Sequence, residues 1–128
     1  MPLTPVIVPF LSKNVLLSLP ENPFALGDDL RSPDVNIYWA ALWPSALALA
    51  DALLAGEIQL PAGGTVLETG CGTGLASIAA ALSHPSIDMF ATDIEVRALE
   101  LTRANAEANG VGARVSGPGR LSLRDQVR

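Results

Sequence analysis

Val66-Leu67-Glu68-Thr69-Gly70-Cys71-Gly72-Thr73-Gly74-Leu75 is the stretch on which the fold of this chain turns. A short apolar run ends in an acid and three alternating glycines, and a small-residue helical pattern follows. Thr65, Val66 and Leu67 suit a buried strand, while Gly70, Gly72 and Gly74 leave no Cβ where a ligand must approach the backbone. The stretch predicts strand, tight turn and helix. Ligands of open α/β sheets bind beyond the carboxyl ends of the strands, so this turn is the first candidate site.

Downstream, Leu75, Ile78, Ala79 and Leu82 recur at helical spacing until His84-Pro85 stops the pattern. Ile87 to Thr92 predicts a second strand closing on Asp93. A helix from about Glu95 to Ala108 follows, with Ala98, Leu101, Asn105 and Ala108 on one face and Asn109-Gly110 as its stop. Val111 to Ser116 begins a third strand. Strand, helix, strand, helix predicts an α/β fold with a Rossmann-like parallel sheet and right-handed crossovers.

Upstream, Pro44 opens a helix on which Ala46, Leu49, Ala50 and Leu53 share a face, and Gly56 ends it. The runs Val6-Ile7-Val8 and Val15-Leu16-Leu17 predict a strand pair. Between them and the helix, residues 20–36 are rich in Pro, Asn and Asp, and Asp28, Asp29 and Asp34 read as a solvated loop. The chain thus divides into an N-terminal extension and connection over 1–36, a ligand-binding region over 37–116, and an irregular tail over 117–128.

The composition, 49% hydrophobic and 16% charged over 128 residues, supports one folded domain. A net charge of -5 argues against a nucleic-acid backbone as partner. Four of the eight basic residues gather at the C-terminus, at Arg114, Arg120, Arg124 and Arg128. Cys71 is the lone cysteine and His84 the lone histidine, so neither a disulfide nor a cysteine- or histidine-based metal site is expected. The apolar stretch from Ala40 to Ala55 contains Pro44 and Asp51 and is shorter than the roughly 20 residues a spanning helix needs. No membrane association is expected. No targeting signal is evident, and a cytoplasmic location is the expectation.

Gly72 and Asp93 lie 21 positions apart, a spacing that suits a nucleotide-type site in which the acid receives ribose hydroxyls. Leu75 replaces the third glycine of a dinucleotide fingerprint, and the Gly-Lys-Ser/Thr of a phosphate loop is absent. Glu68 would repel a phosphate and suit a cation. Glu68-Thr69-Gly70-Cys71-Gly72-Thr73-Gly74 resembles the acid-x-G-x-G-x-G motif of class I, seven-strand S-adenosylmethionine-dependent methyltransferases. Ala91-Thr92-Asp93-Ile94 is similar to their second, ribose-binding motif, and the likeness extends to Leu101, Asn105 and Asn109.

Within that superfamily, Tyr38-Trp39-Ala40-Ala41-Leu42-Trp43-Pro44-Ser45 resembles the protein-lysine methyltransferases, those of the methyltransferase family 16-like group. The resemblance implies S-adenosylmethionine as cofactor, held by Trp43, Glu68, Gly70, Cys71, Gly72, Gly74 and Asp93, with a protein lysine as acceptor. Both tryptophans also suit plain core anchoring. Cys71 reads as a small residue whose backbone lines the cofactor, not a nucleophile, and no catalytic base can be named.

The resemblance covers about Ile37 to Val111. A seven-stranded sheet needs on the order of 150 residues, and fewer than sixty follow Leu75. The family's fourth strand and its acid-x-x-aromatic motif have no counterpart, since Asp125 is followed three positions later by Arg128. The expectation is the N-terminal part of the fold, with the C-terminal half absent. The alternative function is accordingly an inactive cofactor-binding or interaction module. A nicotinamide-dependent oxidoreductase fragment is a third reading, disfavoured by Leu75. In the family's strand order the strand ending at Glu68 would have a bare edge, which the N-terminal runs or a partner chain would cover. Low thermal stability or self-association is expected.

Overall fold

The computed structural model describes residues 2–21 and 38–118. The elements run β1 (Leu3–Pro9), β2 (Asn14–Pro20), α1 (Pro44–Leu54), β3 (Thr65–Thr69), α2 (Leu75–Ser83), β4 (Asp88–Thr92), α3 (Val96–Ala108) and β5 (Val115–Ser116), with a short 3-10 turn at Tyr38–Ala40. β3, β4 and β5 form a parallel sheet in that order, and β1 and β2 an antiparallel hairpin. The architecture is the α/β, Rossmann-like one that the glycine turn predicted. The acidic connection and the basic tail, residues 22–37 and 119–128, lie outside the described residues.

Local chemistry accounts for the element ends. Pro44 sits in the first turn of α1, where no intrahelical N–H is needed. Gly56 ends that helix with φ +78°, a left-handed conformation that glycine adopts without strain. Arg114 closes α2: its guanidinium donates to the carbonyls of Ala81 at 2.8 Å, Ile87 at 3.0 Å and His84 at 3.3 Å. A cation at a helix C-terminus also meets the negative end of the dipole.

α1 and α2 pack together, and α2 and α3 lie along the sheet. The core is built from Leu75, Ile78, Ala79, Ile87, Met89 and Ala91, joined by Val8, Val15 and Leu17 of the hairpin. Strand alternation buries Met89 and Ala91 while leaving Leu67 62% and Phe90 36% exposed as register partners. One face of the sheet is therefore uncovered by the described residues, although parallel sheets ordinarily bury both.

Three expectations need correction. Ala108 is exposed, because α3 turns only Ala98, Leu101, Thr102, Asn105 and Ala106 inward along with Leu99. Leu49 of α1 is also largely exposed, while Ala50 and Leu53 are buried. The hairpin does not cover the edge of β3. Instead it docks on α3, where two asparagine amides behave like a neighbouring strand. Asn105 accepts from Ser18 N–H at 2.7 Å and donates to Ser18 O at 3.2 Å. Asn109 repeats this with Leu16, at 2.8 and 2.6 Å. Positions i and i+4 of a helix lie on one face, and positions i and i+2 of a strand have equivalent backbone directions, so the two pairs match. No helix of the described residues is long and apolar enough to cross a membrane.

Candidate functional site

In the parallel register Glu68 pairs with Ala91 and Thr69 with Thr92, which brings Glu68 and Asp93 to the carboxyl ends of adjacent strands. The turn between β3 and α2 extends the ladder by one bond, Cys71 N–H to Thr92 O at 2.9 Å. Gly70, Gly72 and Gly74 all have positive φ. At Gly72 a Cβ would also lie 2.9 Å from the Trp39 carbonyl oxygen, and at Gly74 2.9 Å from the Thr102 side chain. These two glycines are thus required by tertiary crowding as well as by turn geometry. Thr102 ties the turn to α3, its hydroxyl lying 3.1 Å from Gly72 O and 3.4 Å from Cys71 Sγ.

Asp93 is held at both oxygens: Gly72 N–H donates to Oδ2 at 3.0 Å and Glu95 N–H to Oδ1 at 2.9 Å. The Gly72 amide thereby orients the acid. A carboxylate has about four lone-pair sites, so Asp93 keeps acceptor capacity for hydroxyl groups. Glu68 receives the Ser77 hydroxyl at 2.6 Å. Burial pushes its carboxyl above the usual range; the Ser77 hydroxyl opposes that rise, and the Asp93 charge adds to it. Burial also pushes the Cys71 thiol up to about 11, against the Thr102 hydrogen bond and reinforced by Asp93 and Glu68. Cys71 is accordingly a neutral thiol at physiological pH, unsuited to nucleophilic attack.

Around these groups lies a cavity of about 680 Å³, within the size range of small-molecule and cofactor sites. Tyr38, Trp39 and Trp43 form its aromatic wall. Trp39 is buried, under the Arg97 guanidinium at 5.2 Å, and its Nε1 has no hydrogen-bond partner among the described residues. Trp43 is 46% exposed, packs on Tyr38 with ring centroids 5.7 Å apart, and donates from Nε1 to Tyr38 O at 2.9 Å. Of the two tryptophans, Trp39 is the core anchor and Trp43 an accessible ring on the cavity wall.

Six of the seven residues singled out from sequence, Trp43, Glu68, Gly70, Cys71, Gly72 and Asp93, line this cavity. Gly74 does not; it starts α2 against Thr102. Ser77 and Thr102 escaped the sequence reading. A serine within the wholly buried run Leu75–Ala81 was the available signal for the first. Among the described lining residues, Glu68 and Asp93 carry the only formal charges, so the cavity is negative. No cluster of three or more potential metal ligands occurs among the described residues.

Residues 45–121 match the family model for the methyltransferase small domain. Among curated relatives, the electron transfer flavoprotein beta subunit lysine methyltransferase of Danio rerio is 43% identical over 79 residues, covering 62% of this chain and 30% of the relative. A probable cobalt-precorrin-6B C(15)-methyltransferase (decarboxylating) of Pyrobaculum aerophilum is 37% identical over 84 residues, 65% of this chain and 43% of the relative. The ribosomal RNA small subunit methyltransferase C of Hamiltonella defensa is 36% identical over 63 residues, 49% of this chain and 19% of the relative. The chain spans less than half the length of each of these proteins. Their acceptors differ, whereas the strand-turn-helix and its second acid lie within the region matched by the family model. The chain belongs to the methyltransferase small domain family of class I S-adenosylmethionine-dependent methyltransferases.

Proposed function

We propose that this chain binds S-adenosylmethionine in the cavity beyond β3 and β4 and serves methyl transfer to a lysine side chain of a protein partner. The observation that carries the cofactor reading is the charge of the cavity: its only charged described residues are two carboxylates. A ligand with an ammonium and a sulfonium meets favourable charge there, whereas a pyrophosphate would be repelled. Asp93, oriented by Gly72 and Glu95, has acceptor capacity for ribose hydroxyls. Glu68 would take the ammonium group, Trp43 would cover an apolar surface, and the backbone of Gly70 and Cys71 would border the ligand.

The cofactor supplies the chemistry, an electrophilic methyl on sulfur, so the protein's task is to orient and to exclude water. The lysine acceptor is supported by the Danio rerio and Xenopus laevis relatives, both named electron transfer flavoprotein beta subunit lysine methyltransferases. Calorimetry with S-adenosylhomocysteine is the direct test. Saturable one-to-one binding that is lost in Asp93→Ala is expected, and no binding to the folded wild-type chain overturns the reading.

A second reading, cofactor binding without transfer, is favoured by the uncovered sheet face around Leu67 and Phe90, where no described residue builds an acceptor pocket. Incubation with a methyl-labelled cofactor and the electron transfer flavoprotein beta subunit separates the two. Label on lysine supports transfer by this chain; binding with no label supports the second reading.

A further inference from the structure

Ser77 is out of keeping with its surroundings. It is the third residue of α2, fully buried, in a run where every other residue from Leu75 to Ala81 is apolar. A buried serine in a helix commonly bonds back to a carbonyl of the preceding turn. Ser83 on the same helix does so, at 2.8 Å to Ala79 O. Ser77 does not: the Thr73 carbonyl, four residues back, receives Asn105 Nδ2 at 2.9 Å, and the Ser77 hydroxyl is directed to Glu68 Oε1 at 2.6 Å.

The Ser77 backbone amide acts on the same carboxylate. It belongs to the first turn of α2, whose N–H groups have no intrahelical partner. Glu68 thus occupies the helix start that in phosphate-binding folds receives the ligand's anion. Glu68 also forms part of the cavity wall. Its carboxylate is therefore fixed on the α2 side while the residue borders the ligand space.

We propose that Ser77 is a positioning residue for ligand selection: by fixing the Glu68 carboxylate against α2, it lets the site distinguish a ligand carrying an ammonium group from one that lacks it. This rests on the adenosylmethionine reading of the cavity. Among the described residues, the titratable groups around Glu68 are Asp93 after β4 and Cys71 in the turn. The Ser77 hydroxyl favours the ionised form of Glu68. Its removal should move the loss of ligand binding on acidification to higher pH.

The test measures the affinity of the intact chain for S-adenosylhomocysteine and for its deaminated analogue, which lacks only the α-amino group, between pH 5 and 8. Wild type should prefer the amino ligand by about tenfold or more, the range expected for hydrogen bonds to a charged group. Ser77→Ala should reduce that preference about fivefold, leave the affinity for the deaminated analogue within about twofold, and raise the pH at which binding fails. In a Glu68→Gln background the same substitution should change nothing further. Ser77→Cys, similar in shape with a weaker donor, is the second variant should Ser77→Ala fold poorly, and it should show part of the same loss.

Equal weakening of both ligands by the substitutions, or an unchanged preference and pH profile, overturns the proposal. So does a wild-type chain that binds both ligands equally. Wild-type binding of neither ligand overturns the cofactor reading itself, and this proposal with it.

Discussion

Glu68 and Cys71 show how one buried environment pushes two acidic side chains in the same direction, each toward its neutral form. Glu68 is held above the usual carboxylate range by burial, so ionising it weakens the fold. The stability associated with its raised value is fully present below the ordinary carboxylate pKa and is lost as pH rises through the folded value. Glu68→Gln should remove this loss, giving at pH 7 a chain at least as stable as wild type and a flatter dependence of the unfolding midpoint between pH 4 and 7. The same variant should bind adenosylhomocysteine about tenfold or more weakly, an exchange of stability for function common at binding sites. Denaturant titrations at several pH values check the first outcome and calorimetry the second. Cys71, pushed up to about 11 and buried, should react with iodoacetamide at pH 8 at least about tenfold more slowly than a free thiol near pKa 8.5. Mass spectrometry over a time course reads that rate, and rapid alkylation of the folded chain would contradict it.

At the scale of elements, α3 does more than flank the sheet. Asn105, 1% exposed, joins three parts of the chain: α3 itself, Ser18 in β2, and Thr73 O in the turn. Asn109 serves β2 alone, near solvent, and its amide also reaches Asn105 O. Asn105→Ala should therefore cost about 3 kcal/mol, the sum expected when buried backbone groups lose partners, and Asn109→Ala about 1 kcal/mol. Chemical denaturation of the two variants tests the order, and hydrogen exchange should show the hairpin amides of 14–20 less protected in the first. The helix-face position of Asn105 and the helix-stop position of Asn109 were both legible in the sequence. Their pairing with β2 was not, because a separation of 87 residues between Ser18 and Asn105 leaves no local periodicity to read.

At the scale of the whole molecule, the edges presented by β1 and β3 among the described residues differ in character. β1 carries Pro5 and Pro9, which remove backbone donors and discourage further pairing. β3 has neither proline nor lysine, is unpaired on one side among the described residues, and borders the exposed Leu67 and Phe90. We propose self-association through this edge. Sedimentation velocity should show a mass that rises with concentration, and Leu67→Lys should shift it toward the monomer, with a lower tendency to aggregate on heating. A concentration-independent monomer with one sharp unfolding transition would count against it. The hairpin leaves this edge unpaired among the described residues because β1 and β2 pair with each other and dock on α3.

Sequence alone determined the strand-turn-helix at 66–75, the second acid at Asp93, the parallel α/β class and the family, because each rests on local chemistry: positive φ at glycine, periodic apolar faces, and a fixed spacing along one crossover. Tertiary structure decided how those parts are used. It joined the Gly72 amide to Asp93, separated Trp39 the core anchor from Trp43 the cavity wall, and placed Gly74 under Thr102. It also joined Ser77 to Glu68 and Asn105 to β2. Such contacts depend on which groups a packed core brings within hydrogen-bond distance and which backbone atoms are already partnered, a property of the whole arrangement that no single stretch of chain carries.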